Sequence, residues 1–229
     1  MFAVIFEVQP KPDRWDDYLA IAGSLRPELE NIDGFIANER FTSPRCLGRV
    51  LSLSIWRDEK AVVRWRTLAR HHHAQARGRS KIFQDYHLRV GEIVGDNRLP
   101  AGQSLLQQRF DVTEIGVAKL VTITELGADD PASTDLAAQL RLPQAPTAEI
   151  SDHEGFAGIN EPKRLLLLVS WADAAAGRVW RPPEHPADLR HRAVCIIRDY
   201  GMHDRREAPQ YHPPAADPSV ARVPLPEVY

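Results

Sequence analysis

The chain has 229 residues, enough for one large domain or two of about 100 each. Hydrophobic content of 43 % and charged content of 26 % are ordinary globular values, and a formal net charge of −2 excludes a bulk electrostatic pull toward nucleic acid or an anionic membrane. The opening MFAVIFEVQP alternates too regularly for a signal peptide, no later apolar run spans a bilayer, and two isolated cysteines, Cys46 and Cys195, form no disulfide or metal framework, so a reducing cytoplasm is the expected compartment.

Phe2 to Val8 alternates and is rich in Val, Ile and Phe, the pattern of a strand. After the break at Pro10 to Asp13, apolar residues at Trp15, Tyr18, Leu19, Ala22, Leu25 and Leu29 form the stripe of an amphipathic helix. Asp33-Gly34 is a turn, Gly34 to Thr42 a second strand, and Val50 to Trp56 a third. Asp58 is placed to N-cap a helix over Glu59 to Leu68. A further helical segment covers Ala74 to Gln84, and Tyr86 to Val94 alternates as a fourth strand. The order βαββαβ is the ferredoxin-like split pattern.

The pattern then restarts. Val117 to Leu126 reads as a strand, Ser133 to Leu142 as a weak helix, Arg164 to Trp171 as a strand, and Asp173 as the cap of a short helix that ends at Pro182-Pro183. For the last strand we align RVGEIVGD (Arg89 to Asp96) with RAVCIIRD (Arg192 to Asp199), which leaves the second copy without a counterpart of the His71 to Gln84 segment. The chain divides into residues 1–98, a linker over 99–112, a degenerate second unit over 113–203, and a proline-rich arm over 204–229. The arm is expected to lie extended on the body through Val220, Val223, Leu225 and Val228.

The repeat is plainest in two stretches 115 residues apart. RVLSLSIWRDEKAVVRW (Arg49 to Trp65) and RLLLLVSWADAAAGRVW (Arg164 to Trp180) share seven of seventeen positions, including Trp56/Trp171, Asp58/Asp173 and Trp65/Trp180. A period above 100 residues means a duplicated domain rather than a solenoid. Gly155-Phe156 reads as a repeat of Gly34-Phe35, and Glu7 falls opposite Thr122 or Ile123.

Two consecutive βαββαβ units with WxDxxA at the end of strand three resemble the antibiotic biosynthesis monooxygenase superfamily. FAVIFEV, NIDGFIANERF, LSLSIWRDEKAVVRW and AQARGRSKIFQDYHLRVGEI carry the likeness in the first half; in the second it is confined to the strands and Trp171-Ala172-Asp173. The resemblance implies an α+β fold in which two ferredoxin-like units form the family's dimeric α+β barrel within one chain, as a monomer or a further homodimer. It implies a small-molecule pocket between the sheet and the second-helix region. It also implies a cofactor-free monooxygenase acting on an electron-rich aromatic or a quinol. Heme binding or degradation is the alternative, and a non-catalytic ligand-binding module a further one. The heme-degrading branch resembles this chain at Trp65, but it would carry Asn at Glu7 and an iron-ligating His at Gln75.

The catalytic candidates are therefore Glu7, His71 and His72, and the substrate-binding candidates Trp65, Gln75 and Phe83, with no metal ligand proposed. His71, His72 and His73 on one helix point about 100° apart and cannot share a metal. Glu7 shares a strand face with Ala3 and Ile5, the face expected to pack on helices; it is either exposed at the strand end or a base in a cavity. Trp65 either lines the pocket or packs the helix. Arg77-Gly78-Arg79 reads as a solvated face, and His185 and His191 are expected in solvent. The repeated residues build the frame, which predicts one functional pocket, in the first half, with the corresponding space in the second half collapsed or open.

Overall fold

Eight antiparallel strands close into a barrel in the order β1-β3-β2-β6-β7-β5-β8-β4. The computed structural model describes residues 1–128, 135–143, 147–183, 188–213 and 215. The first half supplies β1 (Phe2–Pro10), α1 (Trp15–Glu30), β2 (Phe35–Thr42), β3 (Val50–Trp56), α2 (Glu59–Thr67), α3 (Ala69–Arg77) and β4 (Phe83–Asp96). The second supplies β5 (Leu120–Gly127), α4 (Leu136–Gln139), β6 (Ile150–Gly158), β7 (Arg164–Trp171), α5 (Ala174–Val179) and β8 (Arg190–Gly201). Each half is a four-stranded sheet, ordered 4-1-3-2 and 8-5-7-6. The halves meet along a long β4–β8 seam from His87 to Asp96 and a short β2–β6 seam at Phe41 and Thr42. Both units of the expected intramolecular barrel are therefore present on one chain.

The barrel interior is filled. Ala3, Ile5, Leu51, Leu53 and Ile55 from the first sheet meet Val121, Ile123, Leu166, Leu168 and Val194 from the second. Ala3 and Ile5 thus face the barrel core, contrary to the expectation that they pack on helices; the helix-facing residues of β1 are Phe2, Val4 and Phe6. Strand alternation assigns residues to two faces but does not say which face a second sheet covers. Trp56 and Trp171 are buried, and Asp58 and Asp173 cap α2 and α5, accepting from Ala61 N and Ala175 N.

Strand register corrects the internal alignment. Phe2 stands opposite Trp56 and Glu7 opposite Leu51, while Leu120 stands opposite Trp171 and Glu125 opposite Leu166. The counterpart of Glu7 is therefore Glu125, not Thr122 or Ile123, because the path from strand one to strand three is three residues shorter in the second half. Likewise Phe156 faces Leu166 as Phe41 faces Leu51, and Ile150 is the counterpart of Phe35. The two glutamates carry matching partners. Arg89 Nη2 donates to Glu7 Oε2 at 2.5 Å, and Arg192, the aligned residue of β8, donates to Glu125. Burial pushes the Glu125 carboxyl up, and Arg192 and Arg164 more than offset it, leaving it below its usual value.

In the second half, Leu126, Leu136, Leu140, Leu142, Leu165 and Leu167 pack with Trp171 and Trp180 over the outer face of the sheet. His191 belongs to this layer: it is buried, its Nδ1 lies 2.9 Å from Thr124 Oγ1, and Trp180 packs edge-on against its ring. It is not in solvent, because β8 turns it toward the helix layer. His185, Val220, Val223, Leu225 and Val228 lie outside the described residues. Arm residues 204–213 lie against the body: Arg205 Nη1 donates to the Tyr86 hydroxyl, Gln210 Nε2 to Arg66 O, and Glu207 accepts from Thr113 and Asp199.

Candidate active site

A cavity of about 200 Å³ lies on the outside of the barrel, between the sheet and the helices of the first half. Its floor is Val4 and Phe6 of β1, Ser52 and Ser54 of β3, Leu88 and Val90 of β4, and Arg198 and Tyr200 of β8. Its roof is one face of α1, from Tyr18 to Leu29, with Val62, Trp65, Arg66, His71 and Gln75 from α2 and α3. The lining is mainly apolar with a few polar groups, the usual make-up of a small-molecule site.

The break between α2 and α3 creates the arrangement. Leu68 is extended (φ −58°, ψ 128°), which ends α2 and redirects the chain. On a continuous helix Trp65 and His71 would sit about 120° apart around the axis. After the break the two rings stack instead, with centroids 4.0 Å apart and an 18° interplanar angle. His71 Nδ1 lies 2.9 Å from Trp65 O. A carbonyl only accepts, so Nδ1 carries the proton and Nε2 is left with a free lone pair. Burial, countered only in part by that hydrogen bond, lowers the His71 pKa to about 4, and the imidazole is neutral at ordinary pH.

Gln75, one turn after His71, lines the same cavity, and its Oε1 is buried without a hydrogen-bond partner. An amide oxygen therefore occupies the position at which the heme-degrading relatives are expected to carry an iron ligand, and it is a weak axial donor. Gln75 thus supplies no axial imidazole at that position, and His71 is the one histidine of the cavity lining. Phe83 closes one end, with its ring 5.9 Å from Phe6 and 6.2 Å from Tyr18. A π-turn over Gly78–Ile82 leads into it, and Gly78 is required there, since a Cβ would lie 2.4 Å from the Phe83 ring.

Of the candidates read from sequence, Trp65, His71, Gln75 and Phe83 come together around this cavity. His72 does not line it: its ring is exposed and stacks on His212 of the arm, 5.4 Å between centroids. His73 is exposed. Glu7 points into the barrel, where it is held by Arg89, itself bonded to Ser170, with His87 3.7 Å away. Arg79 is buried rather than solvated; it donates to Tyr86, Met202 O and Pro213 O, tying the π-turn to β4 and the arm.

Sequence reading missed Arg66, Arg198 and Tyr200. The last two come from the second half, and a β-bulge puts them there. The β4–β8 register shifts at Ile197, opposite the step from Val90 to Gly91. Ile197 packs on the outer cluster with Phe2 and Trp56, and Arg198 follows it onto the same face, into the cavity. Gly91 permits the close approach, since a Cβ there would lie 2.5 Å from Cys195 O. Strict alternation would have put Ile197 or Arg198 inside the barrel.

The model of the antibiotic biosynthesis monooxygenase family matches residues 1–77. Jasmonate monooxygenase ABM of Pyricularia oryzae is 44 % identical over 222 residues, covering 94 % of this chain and 100 % of that protein. Among solved structures, an aldoxime dehydratase in complex with butyraldoxime shares the fold at a TM-score of 0.51 and 10 % identity, covering 86 % of this chain and 79 % of that one. An antibiotic biosynthesis monooxygenase superposes with a TM-score of 0.37 at 17 % identity, covering 44 % of this chain and 100 % of that one. Near-full-length identity of 44 % and the family match in the first half agree with the barrel of two ferredoxin-like units, and the chain belongs to the antibiotic biosynthesis monooxygenase family.

Proposed function

We propose that the chain is a monooxygenase of a small, mainly apolar molecule of the jasmonate kind, working in the first-half cavity without a bound cofactor. The observation that carries this is the His71 geometry: a neutral imidazole with Nδ1 fixed on Trp65 O, so that Nε2 is presented as a proton acceptor inside an apolar space. The likeness to the jasmonate monooxygenase runs along the whole chain and supports the substrate class.

The chemistry starts at a methylene acidified by a neighbouring carbonyl or aromatic ring. His71 Nε2 takes one proton, and the carbanion left behind is the reductant. Oxidation of the methylene to a carbonyl releases four electrons, which reduce dioxygen fully: one oxygen atom enters the substrate, the other leaves as water, and no external reductant is consumed. The apolar lining keeps water from quenching the carbanion. Burial alone makes His71 a weak base, and an anionic substrate beside it would raise its pKa toward the working range.

A quinol or electron-rich aromatic is the second reading, favoured by the rings of Phe6, Tyr18, Phe83 and Trp65 around the cavity. Oxygen uptake with jasmonic acid and with a panel of quinols and anthrones, followed by mass spectrometry under ¹⁸O₂, separates the two. Incorporation of one labelled atom is expected, and His71→Asn should abolish it. Unchanged turnover in that variant refutes the proposed base. Turnover that depends on added heme and reductant refutes the cofactor-free chemistry.

A further inference from the structure

Three arginines, Arg40, Arg66 and Arg198, line the cavity, and among the described residues none has a carboxylate within 4 Å; Arg40 donates instead to Ala22 O, which leaves Arg66 and Arg198. Arg66 stands at the end of α2 and Arg198 on β8. Among the described residues neither of these two guanidiniums donates a hydrogen bond; Arg66 Nε is buried and unpartnered. The one carboxylate in the lining, Glu59, is already engaged: Arg109 Nη1 reaches its two oxygens at 2.7 and 2.8 Å. Tyr200 faces the same space, and burial raises its pKa to about 12, so its hydroxyl stays a donor. Burial is the main cause that holds Arg66 below its ordinary pKa; Tyr200 opposes it, and the Arg198 charge adds to it by a smaller amount. Both side chains are half-buried, and a guanidinium nitrogen buried without a partner, as Arg66 Nε is, forfeits its hydration without return.

We infer that Arg66 and Arg198, with the Tyr200 hydroxyl beside them, form an anion subsite that holds the carboxylate of the substrate, so that the preferred substrates are small apolar acids rather than neutral molecules. This rests on reading the cavity as the oxygenase site. A carboxylate suits the site better than a phosphate: two guanidiniums offer planar forks, and most of the remaining lining is apolar. The anchor also sits next to the base in the chain. Trp65 O holds His71 and Arg66 follows directly, so a carboxylate bound there fixes the position of the apolar body relative to His71 Nε2.

The test uses the full chain with jasmonic acid and its methyl ester as matched probes. Wild type should bind the acid about tenfold to hundredfold more tightly than the ester, the worth of a charge-assisted hydrogen bond. Arg66→Met and Arg198→Met should each reduce acid binding by a similar factor and leave ester binding nearly unchanged, while melting at or above the wild-type temperature; Arg66→Lys should recover part of the preference. Equal binding of acid and ester by wild type, no binding of the acid, or parallel loss of both probes in folded Arg66→Met would overturn the inference. Acid-selective binding without oxygen uptake would uphold the anchor and remove the oxygenase reading. Oxygenation with no preference for acids would do the opposite.

Discussion

Replacing Glu7 by Gln distinguishes a base from a barrel strut. The change keeps the shape and an acceptor oxygen and deletes one charge. Arg89 is 3 % exposed; after the change it keeps Ser170 and loses its anion. Breaking a buried pair from one side costs about 3–5 kcal/mol, and the 14 % exposure of the Glu7 side chain puts it near the lower end. At about 2–4 °C per kcal/mol for a chain of this size, that is a fall of roughly 6–12 °C in Tm. Glu125 is the internal control. Its side chain is 4 % exposed and serves both Arg164 and Arg192, so Glu125→Gln should cost about 5 kcal/mol or roughly 10–20 °C. Calorimetric melting gives the stability of both variants, and oxygen uptake well below the melting range gives kcat and KM. Both variants should retain wild-type kinetics when folded. A Glu7→Gln protein that melts like wild type but no longer turns over would refute this assignment and return Glu7 to the mechanism.

Trp180→Ala should lower Tm without changing ligand affinity, because Trp180 packs within the second helix layer, against Trp171, His191 and the leucine cluster; chemical denaturation should show a loss of about 1–3 kcal/mol. Trp65→Ala should instead weaken ligand binding by removing the ring on which His71 stacks, seen as a raised Kd in calorimetry. Acid should destabilise the fold. Burial lowers His71 and His191 to about 4, so their contribution is complete above about pH 6.5 and is lost as pH falls toward 4, by up to about 3 kcal/mol for each; urea midpoints between pH 8 and pH 4 measure it. A midpoint independent of pH over that range contradicts the buried, neutral state of both rings.

The sequence carries most of the frame. Alternation in Phe2 to Val8, the cap at Asp58 and the doubled Trp-x-Asp are local signals, and local signals locate strands and helix starts. Three things were not legible there. Which face of β1 meets the helices depends on the second sheet, so Glu7 read as a cavity candidate while Val4 and Phe6 carried the site. The end of α2 at Leu68 reads from the sequence, but nothing there marks a new helix starting at once, so α3 was expected at Ala74 to Gln84, not at Ala69–Arg77, and the stacking of His71 on Trp65 could not be foreseen. Arg198 owes its direction to a bulge, which periodicity treats as an error of phase.

That bulge also shows what duplication allows. In a dimer of identical subunits every change appears twice, and both cavities change together. Here the frame repeats and the site does not. The β4–β8 seam carries one register shift at Ile197 and another at Val94, its counterpart in the alignment of Arg89 with Arg192. Each turns a residue onto an outer face: Ile197 joins the cluster around Phe2 and Trp56, and Val94 joins the leucine-rich layer of the second half. The residue after the first shift is Arg198, a cavity lining; the residue after the second is Gly95. The position matching Tyr200 is Asn97, whose side chain is spent on the backbone of Leu189 and His191. Leucines of α4 and its flanks fill the space that the cavity occupies in the first half. One binding site per chain is therefore expected, built from the first half together with β8 of the second. Calorimetric titration with jasmonic acid should give a stoichiometry near one, and Arg198→Met should alter that single site even though it lies in the other half of the repeat. A stoichiometry of two, or a ligand-bound structure with density over Trp171 and Trp180, would show that the second half had kept a site of its own.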